Sequence, residues 1–358
     1  NPLATVYAAA RVAARPWAAP QGPLVHVGED ATLGPLPASS QPRPRVLLLV
    51  LGETARSDNF SINGYARATT PELARLGVVS FRNAWSCGTS TAASVPCMFS
   101  DLGQARYAAG AGAREGLLDV LQRAGLAVLW IDNQSGCKGV CDRVPSGRAA
   151  GNARRPACDA GECPDEVMLE GLDARIAALP RERVARGVVI VLHQMGSHGP
   201  AYHLRSPPAF KRFLPECRSA ALQDCSREEV LNAYDNSIAY TDWFLARAVE
   251  WLSRHDGDAD TALLYVSDHG ESLGEGNLYL HGMPYAIAPD VQKHVPWVSW
   301  FSPGFQQAAS LSVDCLRRGS GARITHDSYF HSVLGLMQVR TRAYQASLDA
   351  YEGCRASA

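Results

Sequence analysis

Five apolar runs, each ending in polar or charged residues, set the rhythm of this chain: RVLLLVLGE (45–53), LAVLWIDN (126–133), GVVIVLHQM (187–195), TALLYVSDHGE (261–271) and HVPWVSWFS (294–302). Unbroken runs of Leu, Val and Ile of this length suit strands buried on both faces. Between them the apolar spacing predicts helices at 71–76, 115–124, 165–179, 227–254 and 326–338. The alternation predicts an α/β fold, a mostly parallel central sheet with helices on both faces. Residues 18–44, rich in Pro, Gly and Ser, read as a linker or extended wrap, and 134–164, rich in Gly, Pro and Cys, as a pinned loop. Residues 3–17 carry only Arg11 and Arg15 as charges. They suit a short helix lying on a membrane face or packed on the domain's own core. No run reaches the roughly 18 apolar residues that a membrane-spanning helix needs.

The strand ends carry the chemistry. The first run stops at Gly52-Glu53-Thr54, and the third at His193, with His198 close behind in MGSHGP. The fourth stops at Ser267-Asp268-His269-Gly270-Glu271, followed by His281 in YLHG. In open parallel sheets, ligands gather at the carboxyl ends of strands. Glu53, His198, Asp268, His269 and His281 are therefore expected on one rim, a carboxylate and imidazole mix that suits zinc ahead of manganese. His26, His203, His255, His294, His326 and His331 lie in no such context.

Composition narrows the class. A formal charge of -1, with basic residues spread along the chain, argues against a nucleic-acid surface. The 10 cysteines fall largely into close neighbours, Cys87/Cys97, Cys137/Cys141, Cys158/Cys163 and Cys217/Cys225, leaving Cys315 and Cys354 over. Short-range pairs without the His partners of a zinc cluster read as disulfides made outside the cytoplasm. Each small loop so closed contributes roughly 2–3 kcal/mol. The first pair brackets CGTSTAASVPC, which holds the hydroxyls of Thr89, Ser90 and Thr91. A hydroxyl becomes a useful nucleophile once a base or metal lowers its pKa. A helix start behind it would draw in phosphate. Spacing alone leaves the choice among the three hydroxyls open.

These stretches carry a family resemblance. GETARSDNFSINGY (52–65), NAWSCGTSTAASVPCMFS (83–100), DNQSGCKGVCDRVP (132–145), VVIVLHQMGSHGP (188–200), YDNSIAYTD (234–242) and LLYVSDHGESLGEGNLYLHGMPYAIAP (263–289) resemble the lipid A phosphoethanolamine transferases, which include the mobile colistin-resistance proteins. The likeness runs through nearly all of residues 45–355. It implies an alkaline phosphatase/sulfatase-like fold and a zinc ion bound by Glu53, Thr91, Asp268 and His269. It selects Thr91 as nucleophile and sets His198 and His281 at the phosphoethanolamine group or a second zinc. Lys138 of CKGVCD matches a family residue near the phosphate, while Gln134 stands where the family often has Asn.

The resemblance further implies a donor, phosphatidylethanolamine, an acceptor, lipid A, and polymyxin (colistin) resistance as the outcome. It implies residues 1–44 as a membrane-proximal bridging segment and 45–358 as the catalytic domain. That domain is expected at the periplasmic face of the inner membrane, separated from a transmembrane part, and as a monomer. Two other activities share such a rim. A glucan or lipoteichoic acid phosphotransferase would keep the same nucleophile and zinc. A sulfatase needs C/S-x-P-x-R, and Met98 stands in the Arg position of Ser94-Val-Pro-Cys-Met98.

Overall fold

In the computed structural model, residues 22–34, 43–149, 158 and 162–356 are described. The five apolar runs all become strands of one eight-stranded sheet. In chain order its strands are β1 (Arg45–Gly52), β2 (Val79–Trp85), β3 (Ala127–Asp132), β4 (Ser146–Arg148), β5 (Val188–His193), β6 (Asp260–Ser267), β7 (His294–Phe301) and β8 (Ile324–Thr325). Across the sheet they lie β8-β2-β7-β6-β1-β5-β3-β4. From β6 to β4 every pairing is parallel, whereas β7 runs antiparallel to both β6 and β2. β2, VSFRNAW, is missing from the predicted strands for a physical reason. Its residues alternate between buried and partly exposed, as near an edge, so it shows no unbroken apolar run.

Alternation along β1 separates two cores. Leu47, Leu49 and Leu51 pack with Met98, Phe99, Leu118 and Val333 under helices Thr91–Met98, Leu117–Arg123 and Asp327–Leu336. Val46, Leu48 and Val50 face Ile238, Leu245 and Leu252 of the 28-residue helix Arg227–Arg254. That helix starts where predicted because Ser226 and Glu229 form a capping box: the Ser226 hydroxyl accepts from Glu229 N–H, and Glu229 accepts from Ser226 N–H. The helix expected at 165–179 is broken into a 3-10 turn, Asp165–Met168, and a helix, Leu172–Ala177, parted at left-handed Gly171.

Part of the expected wrap is tied to the domain. Thr32–Leu33 pairs antiparallel with Val339–Arg340, and Val27 and Ala31 are buried. The membrane-face helix expected at 3–17 lies outside the described residues. Among the described residues no helix is long and apolar enough to cross a membrane. All ten cysteines are bonded: the four neighbouring pairs as expected, and Cys315 with Cys354.

Candidate active site

Glu53 follows β1, and Asp268 and His269 follow β6. They are neighbours because these strands pair in parallel with Gly52 beside Ser267. The turn after β1 is unusual: Thr54 has a φ of 59°, which costs a β-branched residue energy. Two hydrogen bonds hold it there. Thr54 N–H donates to Asp268 Oδ1 at 3.1 Å, and its hydroxyl donates to Glu53 Oε1 at 2.6 Å. Gly196 closes over the same turn; a Cβ there would stand 2.7 Å from the Glu53 carbonyl oxygen.

Thr91 is the first residue of helix Thr91–Met98, and the Cys87–Cys97 disulfide ties the loop before it to the last turn of that helix. The Thr91 hydroxyl lies 3.0 and 3.2 Å from the Glu53 carboxylate oxygens and 3.5 Å from His269 Nε2. That same nitrogen is 3.4 Å from both Glu53 Oε1 and Asp268 Oδ2. Thr89 does not join this group, because its hydroxyl donates to the Met283 carbonyl at 2.6 Å.

Two carboxylates and an imidazole in a dry space fit a divalent cation. Glu53, Asp268 and His269 are fully buried, and one donor atom from each lies within 4.8 Å of the others. Asp268 Oδ2 is buried with no hydrogen-bond partner among the described residues. An orphaned buried carboxylate oxygen is costly, and a bound cation removes that cost. His269 Nδ1 donates to the Gly270 carbonyl at 2.8 Å, which turns Nε2 toward the cluster. In the cation-free protein, protons answer the same charges. Burial pulls His269 down, but the Asp268 charge and the Glu53 hydrogen bond prevail and push it up to about 10. Burial and then the Glu53 charge raise Asp268. Burial opposes ionisation of Glu53 too, yet the bond to His269 keeps it below the usual carboxylate range.

The other candidates stand around this cluster. The His281 ring packs 4.3 Å from His269, and His198 lies 5.8 Å from His281, centroid to centroid. Burial lowers the His198 pKa. His281 Nδ1 is 3.1 Å from Glu271 Oε1, and the Tyr202 hydroxyl donates to Glu271 Oε2 at 3.0 Å. Lys138 does not touch the carboxylates; its ammonium donates to the Ser135 carbonyl and hydroxyl at 3.0 and 2.6 Å. Gln134 does: its amide donates to Glu53 Oε2 at 2.9 Å.

Three contributors were not foreseen. Glu271 was hidden in plain view inside SDHGES. Tyr202 carries no local signal. His326 is buried, accepts from Cys87 N–H at 3.3 Å and donates to the Ser267 carbonyl at 3.0 Å, joining the Thr91 loop to β6. No local pattern marked that link.

A mostly parallel sheet with a buried metal-type cluster at its carboxyl rim, facing a hydroxyl at a helix start, defines the alkaline phosphatase and sulfatase class. The sulfatase family pattern matches residues 45–339. The chain is 46% identical to phosphoethanolamine transferase EptA of Escherichia coli K12 over 93% of its length, and 41% identical to phosphatidylethanolamine transferase Mcr-1 of Escherichia coli over 95%. It spans 60% and 62% of the length of these two relatives. It also superposes, with a TM-score of 0.88 and 39% identity, on the soluble domain of lipooligosaccharide phosphoethanolamine transferase A from Neisseria meningitidis, covering 94% of this chain and 99% of that one. The chain belongs to the sulfatase family and, within it, to the phosphoethanolamine transferases.

Proposed function

We propose that residues 45–358 are the catalytic unit of an enzyme that moves phosphoethanolamine from phosphatidylethanolamine to a lipid A phosphate. It works as a monomer at the periplasmic face of the inner membrane, and residues 27–33 are packed on that unit. The observation that carries the reading is the Thr91 hydroxyl, 3.0 Å from a fully buried Glu53 in a cluster with an orphaned carboxylate oxygen.

Glu53, Thr91, Asp268 and His269 would hold zinc, which supplies positive charge that favours the Thr91 alkoxide and offsets charge on the phosphoryl oxygens. Thr91 Oγ attacks the phosphorus of the donor, its proton passing to His281 or His198. The bond from phosphorus to the glycerol oxygen breaks, and diacylglycerol leaves with a proton from His281 or His198. Phosphoethanolamine stays on Thr91 as a phosphodiester. A lipid A phosphate oxygen, its proton passing to the same histidine, then attacks the same phosphorus, and the bond to Thr91 breaks, the threonine oxygen leaving with that proton. Lys138, on the disulfide-pinned loop, meets the negative charge of the phosphates at the rim. A sulfatase reading lacks support, since Met98 occupies the required Arg position and Ser94 is sealed at 0% exposure.

The test is expression of the complete gene in a polymyxin-sensitive host, with mass analysis of its lipid A. Phosphoethanolamine-bearing lipid A and reduced susceptibility are expected, both lost in Thr91→Ala. Unmodified lipid A with label on a glucan or core sugar would move the acceptor while leaving the chemistry.

A further inference from the structure

The loop that ends at Thr91 also grips the segment that carries His281. Thr89 is 6% exposed; its hydroxyl donates to the Met283 carbonyl at 2.6 Å, and Gly282 N–H donates to the Thr89 carbonyl at 2.7 Å. The Tyr285 hydroxyl adds a third bond, to the Ser86 carbonyl at 2.8 Å. Residues 281–285 are only half-buried, so hydrogen bonds of this kind contribute to their restraint beside packing. Gly282 has a φ of 89°, which lets the chain turn back directly after His281 to meet Thr89. The opposite side of His281 is fixed through Nδ1 to buried Glu271. The imidazole is thus held at Glu271 and, through the residues after it, at the nucleophile's own loop, with Gln292 bonded to the Leu280 carbonyl and Met283 N–H on either side.

We propose that Thr89 is a positioning residue, whose clip to residues 282–285 sets the His281 imidazole against the phosphorus bonded to Thr91. This rests on the reading of Thr91 as nucleophile and His281 as a proton-handling group. Neither Thr89 oxygen reacts, since both are engaged in the clip. Its effect lies in geometry, because a small misplacement of a proton donor slows catalysis while leaving substrate binding intact. The paired threonines of CGTST thereby have separate duties: Thr91 reacts and Thr89 aligns.

The test uses the full zinc-loaded chain and a short-chain phosphatidylethanolamine, whose alkoxide leaving group needs a proton, with diacylglycerol release as readout. Removing one buried hydrogen bond by Thr89→Val is expected to lower kcat about tenfold with KM and zinc content unchanged. Thr89→Ser keeps the hydroxyl and restores the rate. In a His281→Ala background the same Thr89→Val change should move kcat by less than about twofold, because the group it aligns is gone. Tyr285→Phe removes a different bond of the clip and should show the same dependence on His281, so the test stands if Thr89→Val folds poorly. Equal losses with and without His281, or no rescue by Ser, would overturn the clip. Full turnover by Thr91→Ala would instead overturn the function reading beneath it.

Discussion

Binding of zinc to the Glu53–Asp268–His269 cluster should expel protons, and the number follows from the charges buried there. The perturbation is titration of zinc into chelator-stripped protein. In stripped protein the charge of Asp268 and the bond from Glu53 outweigh burial and keep His269 protonated up to about pH 10. An imidazole must be neutral at the nitrogen that meets a metal, so each zinc ion bound between pH 7 and 9 displaces about one proton from His269. One displaced proton makes the affinity rise about tenfold per pH unit, or about 1.4 kcal/mol. Asp268, raised by burial and by Glu53, adds a further proton as the pH falls into the acid range. If Thr91 also ionises on binding, the wild type releases about one proton more than Thr91→Ala. Calorimetry in two buffers of different ionisation heat counts both. A heat of binding independent of buffer, with affinity flat from pH 7 to 9, would refute the charge assignment. The sign for stability is opposite to the usual carboxylate case. The His269 pKa is raised in the fold from 6.5 to about 10. Its contribution is full below pH 6.5 and lost as the pH rises to about 10. Stripped protein should therefore lose stability as the pH rises across that window, and zinc-loaded protein should not.

Other predictions are simpler. Gln134→Ala removes the amide bond to Glu53 and should weaken zinc binding by roughly tenfold without unfolding the chain, measured by competition with a chromogenic chelator. Replacing Cys315 and Cys354 by Ser opens a loop of sequence separation 39 and should cost about 4 kcal/mol, seen as a lower Tm with kcat intact. Replacing Cys87 and Cys97, separation 10, should cost about 3 kcal/mol and also lower kcat. An unchanged kcat there would limit that staple to stability.

What was legible in the chain was what repeats or stands out locally. The buried strands announced themselves as apolar runs, because central strands covered on both faces carry few polar side chains between their ends. The helix at 227–254 was legible from its apolar spacing, and the Ser226–Glu229 capping box sets its start. β2 stayed hidden because a half-exposed strand alternates, and its pairing with β7 is a long-range event. The grouping of Glu53, Asp268 and His269 was legible because each sits at a strand end, where topology collects them. Supporting residues were not. His326 acts through bonds to Cys87 and Ser267, 239 and 59 residues away in sequence, and no local pattern encodes such a link. Spacing alone did not separate Thr89 from Thr91 in CGTST, where the family resemblance chose Thr91; the fold gives the first a carbonyl and the second a carboxylate.

The central claim is that Thr91 carries phosphoethanolamine between two lipids. The most direct test is intact-mass analysis with peptide mapping of the zinc-loaded protein after incubation with phosphatidylethanolamine, beside Thr91→Ala. The account predicts one phosphoethanolamine adduct on the wild type, mapped to Thr91 and absent from the variant. An adduct mapped to another residue, or equal labelling of Thr91→Ala, would contradict it.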